Sequence, residues 1–250
     1  MNREIEGIYI LWKRELLRFY RSKSRIIGSL GMPFFFLAIL GTGLNNVFPM
    51  AGGLNYMQFI APGIIGMVLM FGSIFSGVIV IMERQFGFLK ETLVAPISRL
   101  SIVLGKAFGG ATTAVLQGFL IMLIAMLLGA QIQLGNFLLL LFFMFLISVM
   151  FVSLGIAIAS MLEDMHGFQL IVNFLLMPLF FLSGALFPLS SAGILGTISL
   201  FDPLTYGVNG LRFLLTGQSD IAFGTCLLVI GVFTAVFISL AIFLFNRIEE

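Results

Sequence analysis

Six stretches of the chain contain no Asp, Glu, Lys or Arg: Ile26–Leu44, Gln58–Met82, Ala107–Gly129, Phe137–Met161, Phe168–Phe187 and Ile221–Phe245. Crossing ~30 Å of hydrocarbon at ~1.5 Å per residue takes roughly 20 apolar residues, and a charge at mid-span costs on the order of 2.5–3.5 kcal/mol. Each stretch has that length, so spans are expected at 26–44, 58–82, 107–129, 137–161, 168–187 and 221–245. The runs are continuous rather than alternating, which favours helices over a barrel, because a helix satisfies its own backbone amides in lipid. Only 10% of the 250 residues are charged and 60% are hydrophobic, against about 25% charged in a soluble domain. The expected fold is an all-α integral membrane protein, with residues 1–250 forming a single transmembrane domain. The first apolar run is longer than a cleavable signal core and is read as a retained span.

The charges that exist are placed unevenly. Arg3, Lys13, Arg14, Arg18, Arg21, Lys23 and Arg25 precede the first span, Arg84, Lys90, Arg99 and Lys106 lie between the second and third, and Arg247 follows the sixth. All but Arg212 of the 13 basic residues thus fall on one side. The positive-inside rule makes that side cytoplasmic and predicts both termini there. A net charge of +2 is too small to mark a polyanion binder. The lone Cys226 permits no intrachain disulfide.

Three polar segments remain. In the head, residues 2–24, Ile5, Ile8, Trp12, Leu16 and Phe19 recur at helical spacing while Arg3, Arg14, Arg18 and Arg21 gather on the other face. That pattern predicts an amphipathic interfacial helix, anchored by Trp12, Arg14, Arg18 and Arg21 at the headgroup layer; a contact with another protein is the alternative. In residues 83–106, Phe86, Leu89 and Leu93 give a short helix an apolar stripe flanked by Arg84, Lys90 and Glu91, and Pro96 ends it. Such a helix is either a surface connector or a rigid lever between two spans. Residues 188–220 contain two apolar stretches, Ile194–Phe201 and Leu204–Leu215, too short to cross a bilayer. Asp202-Pro203 between them is a helix-start signal, so two short re-entrant helices are expected. Asp202 and Arg212 are either solvated interface charges or functional groups there.

Catalytic chemistry finds little support. There is no Gly-x-x-x-x-Gly-Lys-Ser/Thr phosphate loop. Glu163, Asp164 and His166 sit together in a tight loop but lack further ligands, so a solvated loop rather than a metal site is expected. A single histidine leaves no nucleophile–base set to assemble. No ionisable residue interrupts a span, which argues against proton coupling. Thr112, Thr113, Gln117, Ser148, Ser153, Gln169 and Asn173 supply span polarity, either as helix-packing bonds or as the lining of a path. Gly105 and Gly109 form a small-residue pair suited to close helix packing, or are incidental.

The run Glu83-Arg84…Gly87-Phe88-Leu89-Lys90-Glu91…Leu93-Val94-Ala95-Pro96-Ile97-Ser98-Arg99…Val103-Leu104-Gly105-Lys106 resembles the signature of the type 2 ABC transporter permeases. Its Gly-Phe-Leu-Lys-Glu form is most similar to the daunorubicin-resistance, multidrug-export branch. Many relatives carry an acidic residue directly after Gly-x-Leu, where this chain has Lys90 followed by Glu91. The order of elements agrees, including a Pro203-Leu204-x-Tyr206…Leu211-Arg212 segment before the last span. The resemblance implies a transmembrane permease domain that is not an enzyme, working as a dimer in a prokaryotic cell membrane. Separate ATPase subunits carrying ATP and Mg would dock on the 83–106 coupling segment through Arg84, Phe86, Gly87, Leu89, Glu91 and Leu93. It also implies an outer gate near Asp202, Tyr206 and Arg212, partner-facing spans one, two and five, and outward transport of an amphipathic drug or lipid-linked molecule. A partner-independent channel or secondary carrier is the alternative, with an integral-membrane enzyme third.

Overall fold

The computed structural model describes residues 3–44, 55–133, 135–162, 164–188 and 193–247. Asn2, Glu163 and positions 189–192 of the expected re-entrant segment lie outside the described residues. Among the described residues the chain is all-helical. The helices are α1 (Arg3–Arg21), α2 (Lys23–Phe35, continued by a π-helical turn Phe36–Gly41), α3 (Tyr56–Gln85), α4 (Phe88–Val94), α5 (Arg99–Leu127), α6 (Phe137–Met161), α7 (Met165–Leu182), α8 (Ile194–Ser199), α9 (Pro203–Thr216) and α10 (Phe223–Phe245). Five of them, α3, α5, α6, α7 and α10, are long and apolar enough to cross a membrane. Counting α1 with Ile26–Gly41, which meet at a 71° bend, raises the number to six. The second limb of that pair fills the first charge-free window.

Helix starts follow local chemistry. Asn55 and Gln58 close a reciprocal capping box on α3. Ser98 caps α5, and Asp164 caps α7 by accepting from the Gly167 N–H at 2.6 Å. Asp202 caps α9, which opens on Pro203 as that dipeptide predicts.

The long α3 forms the centre, packed along α6, α5 and α9. Gly77 of α3 meets the backbone of Gly155 on α6, an approach that any side chain would block. The flank is α10, which lies on α6 and turns Leu228, Val232 and Val236 outward. Of α7, only Phe168, Val172, Leu176 and Phe180 are buried, one stripe at four-residue spacing.

Some boundaries move. The fifth span lies at 165–182, because residues 183–187 turn rather than continue the helix. Both α3 and α5 extend past the charge-free windows into the 83–106 segment, so the connector between them shrinks to Phe86–Ser98. The buried face of α1 is Gly7, Leu11, Glu15 and Phe19, rotated from the Ile5–Ile8–Trp12 stripe, and Ile5 stays 57% exposed.

Candidate functional site

The connector begins where α3 stops. Phe86 caps α3, and Gly87 turns the chain with φ +79°, a left-handed conformation that a side chain disfavours. The seven-residue α4 follows, then the extended Ala95 ahead of Pro96, and Ser98 opens α5. Two ties hold this connector. The Glu4 carboxylate of α1 accepts from the Ser98 backbone N–H (3.0 Å) and hydroxyl (2.8 Å). Hydrogen bonding from Ser101 and from Ser98 holds the Glu4 carboxyl below its ordinary range. Arg99 donates to the Asn246 carbonyl at the end of α10 (2.7 Å).

The apolar stripe expected of this segment is not one face. Phe86 lies outside α4, and Leu89 is 2% exposed, part of the protein's own core. Leu93 is half-buried, as is Arg84, whereas Glu91 is exposed. The outward apolar groups are Phe86, Phe88 and Val94, the last 81% exposed. A short helix between two spans has both a core and an outer side, and three apolar positions cannot say which side they occupy.

The head is also held differently from the expected headgroup anchor. Trp12 donates its indole N–H to Thr112 of α5 (3.0 Å), and Arg14 and Arg18 turn to the buried Glu83 at the end of α3, at 2.5 and 3.5 Å. Lys106 of α5 pairs with the other Glu83 oxygen, and Glu15 pairs with Arg18 at 3.3 Å. Arg21 alone of the four expected anchors remains exposed and outside this cluster among the described residues. Taking such charges out of water costs several kcal/mol per ion, so they persist only by converging. Sequence reading missed the cluster, although Glu83 and Lys106, each just outside a charge-free window, were its visible signal. Gly105 and Gly109 permit the approach: a side chain at either would meet the Cβ of Leu11 (2.8 Å) or of Glu15 (2.7 Å).

Beyond the cluster a cavity of about 670 Å³ opens between α2, α3, α5 and α7, with Glu15 and Phe19 of α1 at one end. Its walls are aromatic and methionine-rich, including Met32, Phe71, Phe75 and Phe168. Polarity comes from Ser29, Ser76, Thr113, Gln117 and Gln169, with Gln117 donating to Ser29 at 3.0 Å. Phe36 and Phe180 meet edge to face across α2 and α7 (6.5 Å). Among the polar span residues, Thr113, Gln117 and Gln169 therefore line the cavity, Thr112 serves packing, Ser148 and Ser153 are buried within α6, and Asn173 is exposed.

At the other end of the bundle, Asp202 and Arg212 are buried, not solvated. Asp202 accepts from the Leu204 N–H (2.8 Å) and Thr205 hydroxyl (3.4 Å). Burial nevertheless pushes its carboxyl up to about 7. Tyr206 donates to the Leu200 carbonyl (3.0 Å), joining α9 to α8. Nothing joins Asp202 directly to Arg212 among the described residues. Asp164 is spent on its cap and His166 is exposed. Among the described residues no three His, Cys, Asp or Glu side chains are placed to hold a metal ion.

The sequence profile of the ABC-2 type transporter matches residues 6–216. The chain belongs to the ABC-2 type transporter family. Two of the three related proteins that follow are named as transport permeases. The ycf38 transport permease of Cyanophora paradoxa is 32% identical over 220 residues, 86% of this chain and 76% of the relative. Nodulation protein J of Rhizobium leguminosarum bv. trifolii is 30% identical over 213 residues, 84% of this chain and 79% of its own. The inner membrane transport permease YadH of Escherichia coli K12 is 25% identical over 231 residues, 91% and 90% respectively. As an ABC-2 permease the chain is a multi-pass membrane subunit, and the family works with ATP-binding partners.

Proposed function

We propose that this permease exports an amphipathic drug-like or lipid-linked molecule across a prokaryotic cell membrane, driven by separate ATPase subunits that bind ATP and Mg. The observation that carries the reading is the cavity between α2, α3, α5 and α7: aromatic and thioether walls suit an apolar body, and Ser29, Thr113, Gln117 and Gln169 offer neutral hydrogen bonds to a polar part. The six charge-free windows hold no carboxylate, which counts against proton coupling and agrees with energy supplied by a partner. Two copies facing each other across α2 and α7 would enclose it, since Leu170, Phe174 and Phe181 of α7 are exposed apolar groups beside it. Both termini would be cytoplasmic by the charge asymmetry.

The ATPase would seat on the connector. Its anchors are Phe86, Phe88 and Val94 with Lys90 and Glu91 at the rim, while Leu89 holds α4 to the bundle from beneath. Gly87-Phe88-Leu89-Lys90-Glu91 supports a place nearest the daunorubicin-resistance branch, and α9 with Asp202, Tyr206 and Arg212 would form the outer gate.

Inside-out vesicles holding the permease and a co-expressed ABC ATPase test the reading. ATP-dependent accumulation of an amphipathic fluorophore, reduced when Ser29→Trp fills the cavity, is the expected result. Accumulation that ignores ATP would make the protein a channel or carrier instead.

A further inference from the structure

Arg212 stands out among the charged groups because its burial is matched by so little. It is 5% exposed, on α9, where its Nη2 donates to the Gly184 carbonyl at 2.9 Å and its guanidinium carbon lies 4.1 Å from the centre of the Phe59 ring. Its Nε has no acceptor, and no carboxylate lies within ion-pairing distance among the described residues. A guanidinium has five N–H donors and is always charged. A buried cation with one hydrogen bond and one ring face is undercompensated.

The same side chain lines a second cavity, about 370 Å³, between the end of α7, the α8 region and α9. Thr197, Thr205 and Asn209 line it as well, and Asp220 stands at its exposed rim. Asp220 is solvated, so its field is weakened by water, whereas Arg212 is buried. Asn209 already bridges the wall, accepting from the Asp220 N–H at 3.3 Å and donating to the Thr205 carbonyl at 3.0 Å. The cavity therefore has a fixed polar frame around an unspent positive charge, at the end of the bundle opposite the α3–α5 connector.

We infer that this cavity is an oxyanion site in which Arg212 binds a phosphate group, through the planar fork that suits phosphate and carboxylate. The phosphate comes either from solution or from the headgroup of a lipid-like molecule at the outer membrane surface. The inference goes beyond the proposed transport role and does not depend on the ATPase or on the direction of transport.

The test uses the full chain in phosphatidylcholine nanodiscs, with unfolding followed by a thiol-reactive dye on Cys226, the single and buried cysteine. Inorganic phosphate is titrated against chloride at constant ionic strength, and a parallel arm replaces part of the phosphatidylcholine with phosphatidic acid. A saturable rise in unfolding temperature with inorganic phosphate identifies a free-anion site. A rise only with phosphatidic acid identifies a lipid headgroup site. In either case Arg212→Gln is expected to abolish the rise. Because that variant can misfold, Thr197→Glu provides a second reading at an exposed position on the cavity wall. It is expected to weaken binding at least tenfold, measured against its own ligand-free unfolding temperature, and Asp220→Asn to tighten it. Absence of a rise in both arms for the wild type, or an undiminished rise in Thr197→Glu, overturns the inference.

Discussion

Lys106 at the start of α5 and Glu83 at the end of α3 form a buried ion pair to which α1 adds two arginines. Three helices from separate parts of the sequence are thereby fastened at one end of the bundle, next to the cavity floor. The carboxylate serves three cations, so the partners are not equivalent. Glu83→Gln leaves Lys106 buried and facing Arg14 and Arg18, and is expected to cost about 3–5 kcal/mol. Lys106→Met leaves Glu83 with both arginines and should cost less, about 1–3 kcal/mol. Thermal unfolding of the detergent-solubilised variants checks the order, and the double variant should recover part of the loss of Glu83→Gln.

The head depends on the two glycines of α5. Replacing Gly109 by Leu inserts a side chain where the Glu15 Cβ already sits, and overpacking of this kind costs about 1–3 kcal/mol. Its local signature should be release of α1. Trypsin is expected to cut at Lys13, Arg14 or Arg18 faster in Gly109→Leu than in the wild type, with α10 unaffected. Equal cutting rates would mean that α1 does not rest on that contact.

Much of this organisation can be read from the chain. The charge-free window at 137–161 coincides with α6, and Asp202-Pro203 marks the start of α9, because spans and caps are set by residues close in sequence. The Glu83–Lys106–Arg14 cluster joins positions 23 and 69 residues apart, beyond any local periodicity. Arginines on one face of a helix look the same whether lipid or a buried carboxylate receives them. Leu89 failed as an outward anchor for a related reason: apolar character predicts burial, not against what. The cavity was legible only as a scatter of neutral polar residues, until folding brought Ser29 and Gln117 together.

Stability should depend on pH through Asp202, which lies outside the spans. Its folded carboxyl titrates at about 7, above the ordinary 3.8. The folded state therefore holds the proton more tightly, and its advantage is complete below roughly pH 4 and lost as pH rises to about 7, on the order of 4 kcal/mol in all. Asp202→Asn keeps a capping oxygen and removes the charge. It is expected to flatten the fall in unfolding temperature between pH 5 and pH 8 and to leave the variant the more stable protein at pH 8. A wild-type midpoint independent of pH over that range would contradict the assignment.

A separate ATPase is proposed to seat on the outward face of the connector. Retention of a co-expressed ABC ATPase by the tagged permease decides this, with Phe88→Asp and Val94→Asp beside the wild type and unfolding temperatures measured in parallel. The wild type is expected to retain the ATPase and alter its ATP turnover, and both variants to lose it while melting normally. Leu89→Asp should instead lower the melting temperature, because that side chain is core. A wild type that retains no ATPase, or charged variants that retain it fully, would mean that this face is not the docking surface.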